Sequence, residues 1–251
     1  MDISVKSLLS YVDAPVSDDR SVLYWLFGFR KGLVPPDPTG VTASVSVRQL
    51  SDDLGGDHIH LNVIAVGFDT LSDSAYNDAV NEINYSVYRI RNIFRPQGVG
   101  VGRVLHLAID NADAQGMADI ANTAEARELW ETFHVDNDGI DAFVVRSIAG
   151  FLGLAPPGDC GKGTDNDGLL GGGVDVTDEG LSRTFAHEVG HFLGLDHNHN
   201  DLPAGPCPTS TSQRNNLMAQ TGCALSLRNS VLLTNTQGNT MDEHCTIKRG
   251  I

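Results

Sequence analysis

The clearest apolar stripe on the chain runs through Tyr76, Val80, Ile83, Val87, Ile90 and Phe94. Steps of four and three place these side chains on one face of a helix. Thr70, Ser72 and Asp73 offer caps at its start, and Pro96 and Gly98 stop it. On either side the period falls to two. Residues 58–68 set Ile59, Leu61, Val63 and Ala65 against His60 and Asn62, and residues 101–109 carry Val104, Leu105, Leu107 and Ile109. Both stretches read as strands. Residues 118–133 predict a second, less periodic helix. Residues 139–148, with Ile140, Phe143, Val144, Val145 and Ile148, predict a buried strand. A helix over 179–193 follows, burying Leu181, Phe185, Val189 and Phe192 or Leu193. Strand, long helix, strand, helix, strand implies a twisted sheet with helical crossovers.

The first 55 residues do not share this regularity. An apolar, aromatic run (Val22, Leu23, Tyr24, Trp25, Leu26, Phe27, Phe29) leads into Pro35-Pro36-Asp37-Pro38-Thr39-Gly40, a rigid turn or linker. The alternation over residues 41–47 suits a strand. The region reads as an arm, a pro-segment or an export region, followed by one domain over 56–251 (upper part 56–194, lower part 195–251). The first cysteine is Cys160, so a pro-segment here has no thiolate with which to block a metal; an aspartate is the remaining device.

Composition narrows the class. The chain has 251 residues, is 41% hydrophobic, and carries 32 acidic against 17 basic residues for a net charge of −15. An acidic surface argues against nucleic acid and against anionic membranes. No run of 18 apolar residues is present, so no membrane span is expected. Residues 1–20 contain Asp2, Asp13, Asp18 and Asp19 and lack a basic leader, so they are no intact secretory signal. Cys160, Cys207, Cys223 and Cys245 include no C-x-x-C pair. Four scattered cysteines suggest two disulfides and a secreted, extracellular setting, with a signal removed or another export route; four buried thiols are the alternative. Of the three possible pairings, Cys160–Cys207 with Cys223–Cys245 is the expectation.

The chemistry concentrates in His187-Glu188-Val189-Gly190-His191-Phe192-Leu193-Gly194-Leu195-Asp196-His197, of the form H-E-x-x-H-x-x-G-x-x-H. Residues four apart share a helix face, so His187 and His191 can aim at one ion. Glu188 sits at the edge of that face, within reach of a water at the ion. Gly194 lacks a Cβ and can take positive φ, ending the helix and bringing His197 round as a third ligand. Three protein ligands leave a position open, as in catalytic zinc sites.

On these residues the chain resembles the metzincins, zinc metallopeptidases that share this signature and a Met-turn. The resemblance covers roughly residues 56–250 and implies an α+β, zincin-like fold: a twisted mixed sheet with two long helices, the second carrying the zinc motif, above an irregular C-terminal subdomain ending in a helix. Residues 233–245, with Thr234 or Asn235 near the cap, resemble that closing helix. Met218, 21 positions after His197, falls where the Met-turn belongs. Some metzincins carry a Tyr two residues after that Met; here the position is Gln220. The resemblance also implies that the strand before the metal helix is the sheet edge above the cleft. Gly172, Gly173 and Val174 are then candidates to bind substrate, with Ala219 and Gln220 in the pocket beyond the scissile bond. A flexible glycine loop is the other reading of 171–173.

Asp159, Asp165 and Asp167 lie in a loop and are hard oxygen donors spaced as in a Ca²⁺ loop or as in a solvated polar loop. The same choice arises at Asp136-Asn137-Asp138-Gly139, where a turn leading into a strand reads better. The functional expectation is a monomeric zinc endopeptidase acting on protein or peptide, with Glu188 as general base and acid. A delivered toxin or effector peptidase and a non-catalytic zinc module are the alternatives.

Overall fold

The computed structural model describes residues 56–67, 74–172, 178–198 and 207–250. The readings of residues 1–55 and the cap candidates Thr70, Ser72 and Asp73 lie outside them. The α+β arrangement is present. β1 (His58–Val66) and β2 (Gly100–Ile109) flank the helix α1 (Ser74–Phe94) in the chain. β3 (Asp119–Ile120), α2 (Thr123–Phe133), β4 (Ile140–Val145), β5 (Ser147–Ile148) and β6 (Gly153–Leu154) follow. β7 (Gly168–Gly172) and α3 (Asp178–Phe192) come next, followed by α4 (Thr211–Arg214) and α5 (Asn235–Asp242). The main sheet has the order β2-β1-β4-β7-β6. Its first four strands are parallel, and β6 alone is antiparallel.

α1 and α3 cover one face of the sheet. Ile83, Val87, Ile90 and Phe94 from the predicted stripe meet Phe185, Ala186, Val189 and Phe192 there. The same core takes in Leu195, Leu217, Met218, Met241 and Ile247, so the residues that follow α3 pack into one core with the sheet and its helices. On the other face Trp130 and Leu129 of α2 pack on Ile64, Phe143 and Leu170.

Two predicted elements shift in detail. The second helix starts at Thr123, not 118. Asn122 caps it by accepting from the N–H groups of Ala124 and Glu125, while Glu125 accepts from Ala121 N–H. Asp119–Ile120 is thereby freed to pair with Ser147–Ile148 in a separate small sheet, which also cuts the third strand short at Val145. The closing helix has Thr234 as its cap, with a reciprocal Thr234–Gln237 capping box. The cysteine pairing is corrected: the bridges are Cys160–Cys245 and Cys207–Cys223. The tail after α5 returns to the 156–167 loop, where Gly158 N–H donates to Phe192 O, so Cys245 meets Cys160 and not Cys223.

His60, 2% exposed on β1, accepts the Arg103 N–H at Nδ1. Burial pulls its pKa down from 6.5 to about 4, against the opposing pull of the Asp138 carboxylate. Protonation would put a hydrogen where the Arg103 N–H already points. The folded pKa is depressed, so the unfolded chain binds the proton first as pH falls. The stability is fully present above about 6.5 and is lost as pH falls towards 4, by about 3 kcal/mol in all. Urea midpoints between pH 7 and 4 are expected to show this slope, and His60→Gln to flatten it.

Candidate metal centre and catalytic cleft

α3 delivers His187 and His191 from one face, one turn apart. Gly194, at φ 86°, then reverses the chain in the left-handed conformation: its own N–H reaches His191 O, and Leu195 N–H reaches Gly190 O. This turn has two results. It brings Leu195 O against His191 Nδ1 at 2.7 Å, and it swings His197 back to face the other two imidazoles.

The three rings converge through Nε2. The Nε2–Nε2 separations are 3.0 Å for His187–His191, 3.1 Å for His187–His197 and 3.2 Å for His191–His197. His187 Nδ1 lies 2.8 Å from Leu217 O. A carbonyl can only accept, so Nδ1 of His187 and of His191 must carry the ring proton, leaving each Nε2 as a bare lone pair. Lone pairs this close repel unless a cation sits among them. Three nitrogens each about 2.0–2.1 Å from one tetrahedral ion would lie roughly 3.3 Å apart, so the donor set fits zinc. Burial, reinforced by the neighbouring His191, holds the His187 pKa well below 6.5, so it stays the neutral ligand form. Among the described residues this trio is the one group of three or more His, Cys, Asp or Glu placed to hold a metal.

Glu188 is 6% exposed. Burial pushes its carboxyl up to about 8, with the Arg183 guanidinium pulling the other way. Beside it runs Gly153 of β6: a Cβ there would come within 2.6 Å of Glu188 Cγ and Oε1. Met218 is fully buried in the loop after α4, and its N–H donates to Asn216 Oδ1. Gly190 lets it approach, since a Cβ at that position would sit 2.8 Å from Met218 Sδ. Ala219 is buried and Gln220 half-buried at the start of the short turn Thr221–Cys223.

The edge strand is not where it was expected. β7 lies inside the sheet, paired to β4 on one side and to β6 on the other, and Gly172 N–H already donates to Leu152 O. The β7 glycines serve close packing instead. A Cβ on Gly171 would strike Phe185 of α3, and one on Gly172 would strike Ile148. Among the described residues the edge on this side is β6, which sequence reasoning passed over; Gly153 between Leu152 and Leu154 was its one visible signal. Gly173 and Val174 lie outside the described residues.

The three loop aspartates do not converge as a metal group. Asp167 is buried beside the Lys162 ammonium, which also reaches Asp141 at 2.9 Å. Asp159 accepts from Thr164, and Asp165 faces Arg127. A lysine thus supplies positive charge beside Asp167.

No protein-family model matches the sequence, and no curated protein matches it significantly. Loose structural likeness is found to archaemetzincin from Methanopyrus kandleri (TM-score 0.42, 14% identity, 73% of this chain and 94% of that one). It is also found to metalloproteinase-II from Bacteroides fragilis (TM-score 0.42, 13% identity, 73% and 52%). A chain of a chaperone–substrate complex gives a TM-score of 0.40 at 13% identity, with 75% of this chain spanning 34% of that one.

Proposed function

We propose that the protein is a zinc-dependent endopeptidase. The observation that carries this reading is the trio of imidazoles meeting Nε2 to Nε2 within 3.2 Å, two of them with the Nδ1 proton spent on a backbone carbonyl. His187, His191 and His197 would hold the ion. When bound, zinc supplies a Lewis acid for the scissile carbonyl and lowers the pKa of a coordinated water to about 7. The protein's own residues do the rest. Glu188 takes a proton from the attacking water at a carboxylate oxygen as the water oxygen bonds to the carbonyl carbon. It passes that proton to the amine nitrogen as the C–N bond breaks. A carboxyl whose proton affinity is raised by burial suits both halves of that cycle. Leu217 O and Leu195 O keep the imidazoles in the ligating tautomer. Met218, behind Gly190, is the Met-turn residue that packs against the metal helix.

The substrate lies along β6. This strand has a partner on one side only among the described residues, so an extended peptide can add to its outer side. Phe151 is 60% and Leu152 42% exposed beside it, offering apolar contact to substrate side chains. Gln220, half-buried, borders the far side of the cleft, whereas Ala219 is fully buried and holds the loop through its carbonyl. Gly153 brings the bound peptide and Glu188 together across a backbone with no side chain between. Gly153→Ala is therefore expected to displace the Glu188 carboxylate and lower kcat by up to ~100-fold with zinc content unchanged; its Cβ would also come within 2.7 Å of Thr184 Cγ2, so the melting temperature is expected to fall by a few degrees.

The reading is tested with purified protein on casein. Cleavage that stops with a zinc chelator and returns on adding zinc supports it. Cleavage indifferent to the chelator sinks it.

A further inference from the structure

Arg183 is the least expected residue in the molecule. It lies on α3 one turn before His187 and is 0% exposed. A buried guanidinium is costly unless its donors are met. Here they are met almost wholly by one loop. Nη2 donates to Ala219 O at 2.6 Å, Leu217 O at 2.9 Å and Asn216 O at 3.4 Å. Nη1 donates to Thr221 Oγ1 at 2.9 Å, and Nε to Ser230 O at 3.0 Å. A single side chain from the metal helix thus holds both flanks of Met218.

One of these acceptors has a second caller. Leu217 O takes the proton of His187 Nδ1 as well as that of Arg183 Nη2. A carbonyl oxygen has two lone pairs, and both are used. The direction in which Leu217 O points sets the plane of the His187 ring and keeps its Nε2 free. Among the described residues His187 and Arg183 are the two side chains hydrogen-bonded to that carbonyl, while the Leu217 backbone N–H is tied to Leu232 O on the far side of the loop.

We propose that Arg183 is a positioning residue for the metal centre, acting through Leu217 O to hold His187 in its ligating tautomer and orientation while it anchors the Met218 loop. This rests on the zinc reading above. Arg183 is not one of the three converging ligands. Its planar fork can satisfy several carbonyls together, which a lysine ammonium, a point charge on a flexible stem, cannot reproduce. Loss of an outer-shell partner of a metal-ligating histidine typically costs 10–100-fold in metal affinity.

The test compares the parental chain with Arg183→Met and Arg183→Lys. Zinc affinity is measured by competition with a chromophoric chelator, the ligand field by the visible spectrum of the Co²⁺-loaded proteins, and kcat and KM at saturating zinc. Arg183→Met is expected to bind zinc roughly 10–100-fold more weakly, to show altered Co²⁺ bands, and to lose kcat with KM changed less than about twofold. Arg183→Lys, which keeps charge and bulk, is expected to recover the fold fully but the affinity only in part. If Arg183→Met does not fold, Arg183→Lys carries the test alone. Parental affinity and Co²⁺ bands in a folded variant overturn the proposal while leaving the zinc site standing. A parental chain that binds no zinc overturns the site itself, and this inference with it.

Discussion

Glu188→Gln is expected to retain one zinc per chain and to cleave peptides about 10³-fold more slowly than the parental protein. The carboxylate is not among the three converging Nε2 donors, so the ion's ligands are unchanged. What is lost is the group that accepts and returns the proton, and general acid–base catalysis is typically worth 10²–10⁴-fold. The amide keeps the shape of the carboxyl against Gly153, so neither α3 nor β6 has reason to move. It also removes a group held near a pKa of about 8 by burial, so stability is expected to hold or rise slightly. Atomic emission for zinc together with initial rates on a quenched-fluorescence peptide measures both halves. A variant that turns over at the parental rate would contradict Glu188 as the proton carrier.

Removing the Cys160–Cys245 bridge, as Cys160→Ser with Cys245→Ser, is expected to cost about 4.5 kcal/mol. The bridge spans 85 residues, and closing a loop of that order removes roughly this much unfolded-chain entropy. The loss is a large share of the 5–15 kcal/mol that holds an ordinary domain together. The Cys207–Cys223 bridge, spanning 16 residues, is expected to contribute about 3 kcal/mol. The first bridge pins the 156–167 loop and the C-terminal tail beside the end of α3, where Gly158 N–H donates to Phe192 O. Urea unfolding of the two double variants separates the contributions; the account expects the larger loss at Cys160–Cys245.

The elements that were legible in the sequence are those whose period is set by one buried face. Ile83, Val87, Ile90 and Phe94 announce α1 because a single stripe meets the sheet. Thr234 announces α5 because its cap is made locally, with Gln237 three residues on. The metal motif was legible for the same reason: the i, i+4 spacing and the Gly194 turn are local geometry, and they bring His187, His191 and His197 together. What was not legible depends on strand order. Nothing local distinguishes a glycine-rich strand at an edge from one inside the sheet, so β7 was read as the edge. β6, two residues long, was not read at all. Arg183 was invisible for a related reason: an arginine in a helix suggests a surface face, and apart from Thr221 Oγ1 its acceptors are the carbonyls of residues 216, 217, 219 and 230, which carry no side-chain signature. The disulfide pairing likewise follows from where the tail returns, a property of the whole fold.

The central claim is that this site hydrolyses a peptide bond with the help of zinc. Its most direct test is mass spectrometry of an intact peptide incubated with the purified chain in ¹⁸O-labelled water. The account predicts two fragments whose masses sum to the substrate plus one labelled water, with the label in the new carboxyl terminus and formation abolished by chelation. A chain carrying one zinc that yields no new termini across a broad peptide set, or yields them equally under chelation, would contradict it.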